Sequence, residues 1–394
     1  MNGAAPALSA YLDHAASTPV RPAAFEAMVP WLRDACGNPS GSHVVAREAR
    51  RAVDDARDSV AAALGARPDE IVFCSGGTES DNLAVFGTMA RRAGVAVCSA
   101  VEHHAVLEPV EQIGGRVVGV DASGALDLDE LDSVLASTSD VALVSVMLAN
   151  NETGVVQSLE AVAEVVRRRA TDAVLHTDAV QAFCWLDVAA AAEVADLISI
   201  TGHKFGGPKG AGVLVVRRGV RVSPRIVGGG QEWGLRSGTH NVPAIVGLGV
   251  AAEEAVATRA ETVARVGALR DRLADGLRSR IDGVIETGVT TRPDGTVDRS
   301  RKVAASCHLC IEGIESEALL FLVEGDGVCA SAASSCTSGA QDPSHVLAAM
   351  GYDRATAAGS LRLSLGWCST DADVDHALTV IPDAVARLRR PVEV

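Results

Sequence analysis

Seven short apolar runs, spaced by helix-length segments and several of them without polar alternation, constrain this chain's fold more than any other feature. They are Ile71–Cys74, Val95–Ser99, Arg116–Val120, Ala142–Leu148, Ala173–Thr177, Leu197–Thr201 and Val213–Val216. A strand that is apolar at every position needs cover on both faces. The Ala-, Arg- and Glu-rich stretches between several of the runs, such as Leu159–Arg169, supply helices for that cover. The pattern predicts an α/β fold whose large domain holds a seven-stranded, mostly parallel sheet. A longer Ala/Arg/Glu pattern, roughly Ala244–Ile281, reads as a connecting helix. It is followed by a polar loop, Thr287–Arg301, and a second α+β segment from Lys302. The expected organisation is a large domain over residues 15–255 and a smaller α+β domain built from 1–14 and 256–394.

Charge and cysteine usage narrow the function classes. A net charge of -15 argues against a nucleic-acid partner, because phosphate binding needs basic surface. Arg-rich stretches such as Arg47–Arg51 and Arg167–Arg169 read as solvated helix faces. No apolar run approaches the length of a membrane span, and the first residues carry no secretion-signal pattern. Nine cysteines, an odd number scattered along the chain, are not a disulfide framework and fit a reducing cytoplasm. Cys307-His308-Leu309-Cys310 has CxxC spacing but no second ligand pair. It falls within a strand-like run, Val303–Ile311, so no metal site is expected.

The basic residues are thirty-two arginines and only three lysines, and Lys204 stands in ISITGHKFGGPKG (198–210). Arginine cannot lose its proton, whereas a desolvated lysine can become a neutral amine and form a Schiff base. Lys204 follows the strand Leu197–Thr201, at the carboxyl edge where open α/β sheets collect their ligands. Other polar groups end neighbouring strands. Gly76-Gly77-Thr78 opens a helix after Ile71–Cys74, an arrangement that offers backbone N–H groups to a phosphate. Taken alone, it fits an ordinary turn and helix cap equally well. His103 and His104 follow Val95–Ser99, and by themselves would pass for structural histidines. Asp178 and Gln181 follow Ala173–Thr177, and a protonated pyridine nitrogen would give Asp178 a cationic partner. A phosphate cradle, a ring-stacking imidazole, an Asp for a pyridinium and a Schiff-base lysine together describe a site for pyridoxal phosphate.

The matching strings run almost end to end: YLDHAASTP (11–19), GNPSGSH (37–43), GGTESDN (76–82), EHHAVL (102–107), NNETGVVQ (150–157), HTDAVQ (176–181), GHKFGGPKG (202–210), GGGQEWGLRSGTHNV (228–242), SSCTSGAQDPSHVL (334–347) and LRLSLG (361–366). On these residues the chain resembles the cysteine desulfurases of the NifS/IscS type, within the class V aminotransferases of pyridoxal-phosphate fold type I. The resemblance implies that Lys204 is the Schiff-base lysine, that Asp178 pairs with the ring nitrogen, and that Gln181 touches the ring hydroxyl. It further implies that His103 stacks on the ring, and that Gly77, Thr78, Thr201 and His203 hold the phosphate. Thr239 would complete the phosphate site of a neighbouring subunit in a homodimer. Asn151 and Arg362 would bind the carboxylate of L-cysteine, and Cys336 would take the sulfur as a persulfide and pass it to an acceptor protein.

Three positions depart from the family pattern: Ala333 where relatives have glycine, and Trp233 and Trp367 where many are polar. Two other readings stay open on sequence alone. One is a related C–S or C–Se lyase, which would not need Cys336, or an aminotransferase-like relative using the same lysine. The other is an inactive paralogue serving as a scaffold for sulfur transfer.

Overall fold

The computed structural model describes residues 10–332 and 344–390. Seven strands form one sheet: β1 (Ile71–Cys74), β2 (Val95–Ser99), β3 (Arg116–Val118), β4 (Val141–Ser145), β5 (Val174–Asp178), β6 (Leu197–Thr201) and β7 (Gly212–Val216). Their order across the sheet is β1-β7-β6-β5-β4-β2-β3. Six run the same way, and β7 opposes both its neighbours, β1 and β6.

The lack of polar alternation has a direct cause. Ile71, Phe73, Ile198, Ile200, Val213 and Val215 enter one core, while Val72, Cys74, Leu197, Leu214 and Val216 enter a second on the opposite face. Successive side chains of a strand point to opposite faces, so a sheet covered on both sides needs apolar residues throughout. Two of the expected strands are shorter than the apolar runs. β3 stops at Val118, and β4 stops at Ser145, yet the Val146 and Leu148 amides still donate to the carbonyls of His176 and Asp178. That continued pairing carries the chain to Asn150 and Asn151 beside the end of β5.

A helix of 39 residues, Val242–Arg280, runs past this sheet. Its first half packs on the helices Pro22–Arg33 and Val44–Ala63. Beyond it lies a three-stranded antiparallel sheet of β8 (Val284–Glu286), β9 (Ser306–Ile311) and β10 (Ser360–Ser364), in the order β10-β9-β8. The polar segment before β9 is not all loop, because Thr290–Thr291 pairs with Val297–Asp298 as a short hairpin. Cys307 and Cys310 both lie on β9, an odd spacing that sends them to opposite faces and into separate cores. The chain start joins this region: Ala10–Tyr11 pairs in parallel with Val328–Cys329, and Asp13 bridges to Ser364. Among the described residues no helix is long and apolar enough to cross a membrane.

Candidate active site

The carboxyl ends of β1, β2, β4, β5 and β6 share one edge, and most of the polar residues singled out in the sequence gather there. After β6 the chain makes a tight turn, Gly202–Lys204. The Lys204 amine donates to the carbonyls of Ala15 and Ala16, the latter at 3.0 Å. Gln181 Nε2 donates to the same Ala15 carbonyl at 2.8 Å, so one backbone oxygen joins the two side chains.

Asp178 ends β5, is 5% exposed, and accepts a 2.8 Å hydrogen bond from the Val180 amide. Burial pushes its carboxyl up to about 6, against the opposing pull of that hydrogen bond and of the Lys204 charge. Such a group gains from a cationic partner in contact. Gly77 begins the helix Gly77–Met89, and a Cβ there would sit 2.9 Å from Val180 Cγ2. The missing side chain lets the helix start close on Val180, leaving its first amides accessible to an anion. Thr78 is exposed in that first turn, and Thr201 is buried with its hydroxyl donating to the Ala211 carbonyl at 3.1 Å. His203 Nδ1 lies 3.4 Å from Ser17 Oγ.

His103 caps the helix His104–Gln112, its Nδ1 accepting from the Ala105 amide at 3.1 Å. This contact fixes the imidazole. Burial, then the charges of Lys204, His104 and His345, lower its pKa to about 4. The ring is therefore neutral near pH 7, suited to stacking on an aromatic ring.

Arg362 lies in the middle of β10, and its Nη1 donates to the Asn151 carbonyl at 3.3 Å. His14, Asn151, Gln181, Trp185, Lys204 and Trp367 line a cavity beside the Lys204 turn. Trp367 forms part of its wall, with Arg21 4.8 Å over the indole and Nε1 donating to the Pro19 carbonyl at 3.3 Å. Trp233 is instead 54% exposed, at a positive φ of 59°. Its Nε1 donates to the Ile71 carbonyl at 3.1 Å. Thr239 is exposed, and within one chain it makes no hydrogen bond to the phosphate-cradle residues among the described residues. Nearby, Arg236 pairs with Glu79 of the cradle helix at 2.8 Å.

Cys336 and Ala333 lie outside the described residues. The described residues flanking that segment are tied to Arg362 and Glu152. Ser331 exchanges two backbone hydrogen bonds with Arg362, at 2.7 and 3.2 Å, and the Ser344 hydroxyl donates to Glu152, next to Asn151.

Several site residues had no distinctive signal in the sequence. Asp81 and Glu102 are buried at 1% and 0% exposure, and each keeps a carboxylate oxygen without a hydrogen-bond partner among the described residues. Asp13 pairs with Arg362, with Oδ1 2.9 Å from Nη2. Asp81, Glu102 and Asp13 sit inside the quoted strings, but only the tertiary fold gives them their partners.

A buried acid at the end of β5, a helix start without a side chain packed on Val180 two residues beyond that acid, and a lysine amine that lines the neighbouring cavity fit pyridoxal phosphate. The description "Aminotransferase class-V" matches residues 10–377. The chain is 46% identical over 393 residues to an IscS-like cysteine desulfurase of Mycobacterium tuberculosis, covering 97% of each. A solved NifS-like protein superposes with a TM-score of 0.87 at 34% identity, covering 96% of this chain and 100% of that one. A second solved structure, SspA in complex with cysteine, gives a TM-score of 0.76 at 33% identity, covering 92% and 100%. The chain belongs to the class-V aminotransferase family, among its NifS- and IscS-type cysteine desulfurases.

Proposed function

We propose that this chain is a pyridoxal-phosphate-dependent cysteine desulfurase that converts L-cysteine to L-alanine and takes the sulfur onto Cys336. The observation that carries this reading is that Lys204 and Gln181 line one cavity with Asn151, the partner of Arg362, while the buried Asp178 lies close enough to Lys204 to feel its charge. When bound, the cofactor draws the charge left at the substrate Cα into its ring. Asp178 would keep the ring nitrogen protonated, Gln181 would meet the ring hydroxyl, and the neutral His103 would stack on the ring. Gly77, Thr78, Thr201 and His203 receive the phosphate, with Thr239 arriving from a second copy of the chain. Arg362 and Asn151 hold the substrate carboxylate, since a guanidinium grips a carboxylate through parallel hydrogen bonds.

Lys204 would hold the cofactor, and its amine is the base for the substrate Cα proton. The Cys336 thiolate attacks the substrate sulfur, with His103 as acceptor for the thiol proton. The S–Cβ bond breaks, the sulfur stays on Cys336 as a persulfide, and protonation of the remaining carbon skeleton gives alanine. The persulfide then passes to a sulfur-acceptor protein in the reducing cytoplasm. In this reading residues 15–255 carry the cofactor, and 1–14 with 256–394 form the smaller unit that presents Cys336.

The test is direct. The purified protein, incubated with L-cysteine and a reductant, should release alanine and sulfide in equal amounts, and Lys204→Ala should abolish both. Alanine production that persists in Lys204→Ala, or a wild type that takes up no cofactor, would overturn the assignment.

A further inference from the structure

The Asp13–Arg362 pair has a geometry that a substrate-binding arginine alone does not explain. The Arg362 side chain is 8% exposed, and Asp13 is its one acidic partner among the described residues. A guanidinium this buried costs several kcal/mol unless an opposite charge meets it, so Asp13 keeps the arginine in place when no substrate is bound. The aspartate is held rigidly. Tyr11 donates its hydroxyl to the Asp13 carbonyl at 3.1 Å, the His14 amide donates to the Ser364 carbonyl at 3.2 Å, and the Ala15 amide donates to Ser364 Oγ at 2.8 Å.

Two residues further on, the same turn supplies the Ala15 and Ala16 carbonyls that accept from the Lys204 amine. One short stretch, Asp13–Ala16, therefore touches both Arg362 and Lys204, the proposed carboxylate-binding and proton-accepting groups. Of the guanidinium donors, Nη2 is taken by Asp13 and Nη1 by the Asn151 carbonyl, while Nε is buried with no hydrogen-bond partner among the described residues. Asn151 Oδ1 is a buried acceptor in the same condition. Arg362 thus keeps donor capacity that its protein partners leave unused, at its contact with Asn151.

Resting on the desulfurase reading above, we propose that Asp13 is a positioning residue for the substrate carboxylate. It fixes the plane of Arg362 and its distance from Lys204 without touching the reacting atoms. Arg362 is thereby pre-organised, so less binding energy is spent on orienting it when L-cysteine enters.

The experiment compares holoenzyme variants by the change in cofactor absorbance on titration with L-alanine, which carries the carboxylate, and with cysteamine, which lacks it. Asp13→Asn should weaken L-alanine binding about tenfold and raise KM for L-cysteine about as much, with kcat changed less. Cysteamine binding should stay within about twofold of wild type, because only the carboxylate contact depends on Arg362. Asp13→Glu, which retains the charge, should recover part of the loss, and it carries the test if the Asn variant does not fold. Tighter L-alanine binding in Asp13→Asn would overturn the proposal by showing that Asp13 competes with substrate. An equal loss for cysteamine would overturn it by showing a general structural role. Arg362→Ala serves as the separate control: if it left L-alanine binding unchanged, the carboxylate assignment of Arg362 itself would fail.

Discussion

His176 Nε2 lies 3.6 Å from Asp81 Oδ1, and neither side chain reaches solvent. Burial works against the charged form of both groups. Burial lowers the His176 pKa to about 3, and its nitrogens meet Ser145 Oγ at 2.8 Å and Ser199 Oγ at 3.1 Å. Burial raises the Asp81 carboxyl well above its usual range, and the neighbouring Asp178 and Glu102 charges add to the rise. Glu102 is raised for the same first reason. Three buried acids with a neutral imidazole cannot all ionise together. The cationic partner for Asp178 then comes from Lys204 or from a bound ring nitrogen.

The cofactor-free protein should therefore lose stability to Asp178 as pH rises. Its folded pKa, about 6, lies above the ordinary aspartate value of 3.8, so between those limits the folded state binds more protons than the unfolded one. Stability falls across that window and then levels off. Asp178→Asn should match wild type near pH 4 and exceed it by on the order of 2–3 kcal/mol above pH 7 in urea unfolding without cofactor. A difference that does not change with pH would remove the charge argument. With cofactor bound the order should reverse, because the variant loses the contact to the ring nitrogen.

The sheet and the strand-end residues were legible in the sequence because both follow from short-range rules. Unbroken apolar runs mean a doubly covered sheet, and polar residues just after such runs fall at the ligand edge. That placed Lys204, Asp178, Gln181 and His103 together. Asp13 and Asp81 were not legible as site groups, because their partners, Arg362 and His176, are distant in sequence. Glu102 stood beside His103 and gave no sign of being fully buried. Arg57, in an Arg- and Asp-rich helix, has the pattern of a solvated face but is 4% exposed, paired with a residue far along the chain.

That partner is Glu232, which accepts from Arg57 at 2.6 and 2.8 Å, from the Phe73 amide at 2.7 Å, and sits 2.6 Å from His240 Nε2. Burial alone would raise its carboxyl, but Arg57 and His240 outweigh burial and bring it down to about 2. The stabilisation is present above the ordinary glutamate value and is lost as pH falls towards 2. Glu232→Gln should strand the Arg57 charge and cost about 3–5 kcal/mol in urea unfolding at pH 7. The loss should shrink below pH 4, and a uniform loss would argue against an electrostatic origin.

Thr239 is exposed and distinct from the cradle hydrogen bonds of its own chain, as expected if its role lies in the site of a second copy. Sedimentation should show a dimer. Thr239→Ala should leave the far-ultraviolet circular dichroism intact while speeding cofactor loss on dialysis. A monomer with full cofactor occupancy would contradict the shared site.

The last prediction separates the thiols. Cys329 is partly buried on the short strand that pairs with Ala10–Tyr11, and burial, then the charges of Glu324 and Asp13, raise its pKa. A raised thiol is a poor nucleophile near neutral pH, because the thiolate is the reactive form. Cys336 lies outside the described residues. The residues flanking its segment are tied to Arg362 on one side, through Ser331, and to Glu152 on the other, through Ser344. Both ties lie beside the proposed carboxylate site. Cys336→Ser should keep the visible absorbance of the bound cofactor and its change on adding L-cysteine, since neither involves the thiol. It should lose alanine production under reductant, and mass spectrometry should find no added sulfur on the peptide containing position 336. Cys329→Ser should retain both within about twofold. If Cys336→Ser kept most of its alanine production, the persulfide assignment would fall and a lyase that does not use an enzyme thiol would take its place.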